Sequence, residues 1–212
     1  MKLIAIDGLD GSGKATQAGL LCEALGARKI SFPDYGSDSS ALVRMYLHGD
    51  FGTDPADVNA YAASTFYAVD RYASYKRDWQ QEQGLVVADR YTTSNAIHQC
   101  CKLPEAEWDT FLDWLFDLEY HRMGIPAPEM VIYLRMDPAV SQRLMEERYH
   151  GDAAKKDIHE RDVAYLNRAR VAADYCAERL GWRVVECCEN GQVKTIETIH
   201  AEVMACVGEI LR

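Results

Sequence analysis

Residues Gly8 to Thr16 read GLDGSGKAT, set between the apolar run Leu3-Ile4-Ala5-Ile6 and a helical pattern that begins near Lys14. A strand, a glycine-rich turn and a helix, in that order, form the setting of a phosphate-binding loop. Gly8, Gly11 and Gly13 let successive backbone N–H groups turn inward towards an anion, with Asp10 and Ser12 between them. The helix adds the positive end of its dipole, and Lys14 adds a full charge that can reach terminal phosphates. A nucleotide phosphate chain is therefore expected along Gly8, Asp10, Gly11, Ser12, Gly13, Lys14, Ala15 and Thr16.

One letter departs from this pattern. The residue after the lysine is normally Ser or Thr, whose hydroxyl helps to hold magnesium. Here it is Ala15, and Thr16 carries a hydroxyl one position late. Successive helix residues point about 100° apart, so Thr16 does not simply take over the role.

The chain has 212 residues, 48% apolar and 26% charged, which suits a single α/β domain over 1–212. A net charge of −10 argues against duplex nucleic acid or an anionic membrane as partner. No secretory signal precedes the loop, and no apolar run approaches the roughly 20 residues needed to span a bilayer. Seven cysteines without a CxxC pair read as reduced thiols in a cytoplasmic protein.

Outward from the loop, strands and helices alternate. A helix runs to Leu25, a short strand covers Lys29–Phe32, and Ser39 or Ser40 can cap a helix through Leu47. A long helix is expected over 57–83, with Val58, Tyr61, Ala62, Thr65, Phe66, Val69, Tyr72 and Ala73 at helical spacing. Leu85–Ala88 is a continuous apolar run, as in a buried parallel strand, and ends in Asp89-Arg90-Tyr91. Open α/β sheets take their ligands at such carboxyl ends. A short helix over 92–101 follows, then one from Pro104 that is apolar on more than one side, fitting deep burial or a subunit interface equally. A strand over 130–134, a helix over 138–148, a basic loop over 149–157, a helix over 162–180, a strand over 183–185 and a closing helix over 195–211 complete the chain. The pattern predicts a parallel sheet with helices on both faces.

The segments DGLDGSGKAT (7–16), FPDYGS (32–37), STFYAVDR (64–71), DRYTTSNAIHQ (89–99) and DIHERD (157–162) together resemble the thymidylate kinase family over nearly the whole chain. The resemblance implies a P-loop NTPase-type fold, a short lid at about 148–158, ATP and dTMP as substrates, Mg2+, and a homodimer. It implies that Lys14, Asp89, Arg90 and Arg148 are catalytic, with Asp89 positioning the metal and Arg90 the acceptor phosphate. Arg143 and Arg148 would join the ATP site, because Ser12 stands where some members place an arginine. Asp10, Phe66, Arg71, Arg90, Ser94 and Asn95 would hold dTMP: Phe66 as a stacking platform, Arg71 and Asn95 on the base edge, Asp10 at the 3′-hydroxyl. A Phe at helical spacing is also an ordinary core residue. His98 falls near the expected sugar or is structural. Asp34 stands where many members carry an arginine. Ala15 and Asp34 keep two alternatives open: a kinase for another monophosphate or a deoxynucleoside, and a non-catalytic nucleotide-binding module. The absence of an N-K-x-D guanine motif argues against a GTPase.

Overall fold

The computed structural model describes residues 1–148 and 163–211, with residues 146–148 and 163 described by backbone alone. Five parallel strands, β1 (Lys2–Asp7), β2 (Arg28–Ser31), β3 (Leu85–Asp89), β4 (Met130–Arg135) and β5 (Arg183–Glu186), form a sheet in the order β2-β3-β1-β4-β5. β1 lies between β3 and β4, in register Ala5↔Ala88 and Ala5↔Val131. A two-stranded hairpin, β6 (Cys188–Glu189) and β7 (Gln192–Val193), follows the last long strand.

Both sheet faces are covered, which is why the central strands are apolar at nearly every position. Leu3, Ala5, Val86, Ala88, Val131 and Tyr133 face one core, shared with α4 (Thr92–Cys100), α5 (Trp108–Phe116) and α7 (Val163–Leu180). Ile4, Ile6, Val87, Ile132 and Leu134 face the other core, shared with α1 (Lys14–Leu25), α6 (Pro138–Arg148) and α8 (Ile196–Val207). A smaller aromatic cluster joins α2 (Ala41–His48) to α3 (Ala60–Ser74). Among the described residues no helix is long and apolar enough to cross a membrane.

Two long helical patterns are broken in a way that the apolar spacing does not show. The pattern expected over 57–83 is a 3-10 turn at Pro55–Asp57, then α3 capped by the Asn59 side chain, then a π turn at Tyr75–Trp79. The π turn brings Trp79 into the core, where its indole N–H donates to Ser74 Oγ at 3.3 Å. A second π turn, Asp117–Arg122, continues α5 and points Glu119 fully inward. The extra residue of a π turn shifts every later side chain around the axis, and such turns concentrate at functional positions. Both greasy sides of α5 are occupied: Phe111 and Leu115 lie in the core, and Trp114 packs edge-on against Tyr61 at 4.7 Å.

Candidate active site

The carboxyl ends of β1 and β3 meet where α1 and α4 begin, at the crevice that parallel sheets use for ligands. A Cβ on Gly8 would lie 2.7 Å from the Leu134 carbonyl oxygen, and one on Gly11 would lie 2.9 Å from that of Ser141. Only glycine lets the loop pass so close to β4 and α6. α1 starts from Gly13 with no side-chain cap, so its first N–H groups remain available to an anion.

Lys14 is buried, and its ammonium donates to the Leu9 carbonyl at 2.7 Å and sits 3.9 Å from Asp10 Oδ1. Burial, and then the nearby Arg90 charge, lower its pKa to about 8. Arg90 takes a left-handed backbone, φ 66°, rare for a residue with a side chain, and its N–H donates to the Ile6 carbonyl at 3.0 Å. From there its guanidinium pairs with Asp10 through Nη2 and donates to Ser94 Oγ at 3.3 Å through Nη1. Burial alone would weaken its charge, but Asp10, Asp7 and Asp89 outweigh burial and hold it firmly protonated.

Nη1 of Arg90 also reaches His98 Nε2 at 3.4 Å. Arginine only donates, so Nε2 must accept and the imidazole proton belongs on Nδ1, facing Tyr165 Oη at 3.3 Å. Tyr165, on α7, donates in turn to the His98 carbonyl at 2.9 Å. Burial and the Arg90 charge drive the His98 pKa to about 3, so the ring is neutral at any working pH.

Asp7, which sequence reasoning passed over as a site residue, is the hub beneath the loop. It is fully buried and accepts from Gly8 N–H at 2.9 Å, Thr93 Oγ1 at 2.6 Å and Ser94 Oγ at 2.8 Å. Its place directly before the first loop glycine was the available signal. Asp89 is nearly buried, and Lys29 Nζ lies 4.0 Å from its Oδ2 while donating to the Ala15 carbonyl at 3.1 Å. No sequence pattern flagged Lys29, because strand pairing alone brings it there.

Asp10, Gly11, Gly13, Lys14, Ala15, Thr16, Asp89 and Arg90 line one cleft of about 310 Å³, bounded by Leu144 and Met145 of α6. Ser12 faces inward instead, with its hydroxyl buried beneath the loop. Ser141 of α6 donates to the Asp10 carbonyl and clips the helix to the loop. Arg143 is exposed on α6. The Arg148 side chain and the lid expected at about 148–158 lie outside the described residues.

The expected acceptor residues divide into two groups. Ser94 and Asn95 stand on the first turn of α4, where the Asn95 amide donates to the Ser64 carbonyl of α3 at 3.2 Å. Arg71 is buried in a two-pronged pair with Glu119, at 2.7 and 2.6 Å, and its Nη1 reaches the Tyr91 carbonyl at 3.4 Å. Thr92 Oγ1 also donates to Glu119, at 2.9 Å. Phe66 turns into the α2–α3 cluster, 5.6 Å from Phe51 and 6.4 Å edge-on to Tyr46. Its neighbour Tyr67 shares a helix face with Arg71, one turn on. Burial, and then the neighbouring Cys101, hold the Tyr165 phenol well above the usual range. Asp34 is 3.4 Å from Arg77 Nη2, and Arg44 Nη1 donates to the Ser37 carbonyl of the same turn at 3.0 Å.

The cleft's oxygen donors fit Mg2+. Among the described residues no three His, Cys, Asp or Glu converge as a closed metal cage. Magnesium does not need one, since it keeps several waters and takes one or two carboxylates beside substrate phosphates. Asp89, and Asp10 across the cleft, supply that pattern.

The thymidylate kinase family profile matches residues 6–197. The thymidylate kinase of Mycobacterium tuberculosis is 33% identical over 199 residues, covering 86% of this chain and 90% of that protein. Among solved structures, the thymidylate kinase of Candida albicans superposes with a TM-score of 0.72 at 20% identity, over 98% of this chain and 91% of that one. A deoxyadenosine kinase from M. mycoides with bound dATP shares the fold, with a TM-score of 0.65 at 14% identity, over 98% of this chain and 100% of that one. A glycine loop at the carboxyl end of β1, a neighbouring strand end that carries Asp89 and Arg90, and a match running through both leave one conclusion: the chain belongs to the thymidylate kinase family.

Proposed function

We propose that the protein transfers the γ-phosphoryl group of ATP to dTMP, giving dTDP and ADP. The observation that carries this reading is that Lys14 and Arg90 flank Asp10 at the rim of one cleft. Two polyanions must be brought together there, and two cations held a few ångströms apart can meet one phosphate each. An oxygen of the acceptor phosphate attacks the γ-phosphorus as the bond to the β–γ bridging oxygen breaks, and ADP leaves with that electron pair. A phosphate monoester has a second pKa near 6, so its attacking oxygen is already deprotonated at neutral pH. No general base is required, in keeping with the neutral, enclosed His98. Catalysis is then positioning and charge neutralisation.

Lys14 follows charge onto the transferred group, with the loop N–H groups and the end of α1 around the donor phosphates. Arg90, oriented by Asp10 and Ser94, holds the acceptor phosphate. Magnesium, bound beside Asp89, would neutralise charge on the β- and γ-phosphates. Arg148, at the end of α6, would bring further charge to ATP where the lid begins, with Arg143 behind it on the same helix. The base would lie against α3, where Phe66 and Tyr67 offer rings and Asn95 and Arg71 offer polar groups; Arg71 would act with Glu119 as its fixed partner. Arg77 and Arg44 supply positive charge at the turn where Asp34 would otherwise repel the acceptor. We further propose a homodimer working in the cytosol, where seven free thiols stay reduced.

The test is ADP release coupled to a spectrophotometric assay, with dTMP, dUMP, AMP, CMP and GMP as acceptors, with and without magnesium. Turnover with dTMP well above the others, lost on chelation, is the expected result. Comparable turnover with AMP, CMP and GMP but none with dTMP would overturn it. Tight ATP binding with no transfer to any acceptor would point to a binding module.

A further inference from the structure

We propose that Lys29, on β2, is a positioning residue that shares the Asp89 carboxylate with the divalent cation of the nucleotide, and thereby sets how much magnesium the enzyme requires. The inference rests on the reading of Asp89 as the metal-side carboxylate.

β2 pairs in parallel with β3, with Lys29 opposite Val87 and Ser31 opposite Asp89. Val87 belongs to the core covered by α1, and strand residues two apart share a face, so the Lys29 stem runs up the α1 side of the sheet. Its ammonium arrives between two groups of the phosphate cleft: the Ala15 carbonyl at 3.1 Å and Asp89 Oδ2 at 4.0 Å. Ala15 and Asp89 both line that cleft.

A fold-stabilising role is a weak account of this arrangement. Over a third of the Lys29 side chain is exposed, and a pair at this distance in contact with water contributes little. The position is what matters. In the usual loop, the residue after the P-loop lysine gives the metal a hydroxyl oxygen. This chain has the methyl of Ala15 there, and a fixed positive charge is bonded to the carbonyl of that same residue. An ammonium and a divalent cation both favour Asp89 and repel each other, so each weakens the other's hold on the carboxylate. Lys29 orients Asp89 while the metal is away and makes the metal bind against a like charge when it comes. The metal requirement is therefore set above what Asp89 alone would give.

The experiment uses Mn2+ as the probe, its binding to the protein–ADP complex followed by water-proton relaxation, for the wild type, Lys29→Met, Lys29→Arg, Asp89→Asn and the Lys29→Met/Asp89→Asn double variant. Melting temperatures check that all five are folded. Removing one unit charge about 4 Å from the carboxylate should tighten Mn2+ binding about five- to tenfold in Lys29→Met. The half-saturating magnesium concentration for turnover should fall in parallel, and Lys29→Arg should behave as the wild type. Asp89→Asn should weaken Mn2+ binding and erase the difference between lysine and methionine. Unchanged or weaker Mn2+ binding in Lys29→Met, with Asp89→Asn still impaired, would overturn the Lys29 proposal alone. Unchanged Mn2+ binding in Asp89→Asn would overturn the metal-side reading of Asp89, and the proposal with it.

Discussion

Lys14 keeps its charge in a place that works against it. Burial and the neighbouring Arg90 bring its pKa down to about 8, so in the free enzyme it is charged below that pH and neutral above. Only the charged form can grip phosphates, so kcat/KM for ATP should fall above pH 8, approaching tenfold per unit. The pH dependence of kcat/KM reports the free enzyme; once ATP is bound its negative charge raises the lysine pKa, and kcat should stay level to higher pH. Steady-state rates between pH 6 and 10 check both limbs. No loss from His98 is expected on the acid side of this range, because its pKa of about 3 lies far below it. Lys14→Ala should lower kcat by several orders of magnitude and leave dTMP binding, measured by calorimetry, nearly unchanged. A Lys14→Ala enzyme that lost dTMP affinity instead would place the lysine on the acceptor side.

The π turn after α5 gives Arg71 its partner. Without the extra residue Glu119 would lie on another side of the helix; with it, a fully buried carboxylate meets a fully buried guanidinium. Removing one member of such a pair leaves the other charged and unmatched, so Glu119→Ala should cost about 3–5 kcal/mol in urea unfolding. If Arg71 touches the base, Glu119→Gln should raise KM for dTMP more than KM for ATP. At the end of α6, Arg148→Ala should reduce kcat more mildly than Lys14→Ala, and an unchanged kcat would remove it from the proposed catalytic set. The strands, α1 and the loop were legible in the sequence because burial on both faces and glycine spacing leave direct marks. The place of Arg90 at the carboxyl end of β3, beside the loop, could be read from its segment. The π turns could not, since one inserted residue changes the phase of a helix without changing its apolar content. Lys29 and Glu119 escaped for a related reason: each is an ordinary charged residue until a partner 60 or 48 positions away is folded against it.

At the scale of the molecule, α2 and α3 pack together and expose Leu42, Met45, Val69 and Tyr72. The proposed homodimer would be seated on these side chains, whereas α5 spends its large side chains on the core. Val69→Glu should shift sedimentation velocity from dimer to monomer; a wild type that sediments as a monomer at micromolar concentration would end the dimer reading. The deepest fixed point is elsewhere. Asp7 takes the first N–H of the glycine loop and the hydroxyls of Thr93 and Ser94 at the start of α4, so one carboxylate ties the proposed donor side to the proposed acceptor side. Those two halves were brought to rest when the chain folded, and the ordering entropy was settled then rather than at each encounter. Small fragments of either substrate should therefore bind with unusually high ligand efficiency, and what motion the catalytic cycle needs must come from outside this knot.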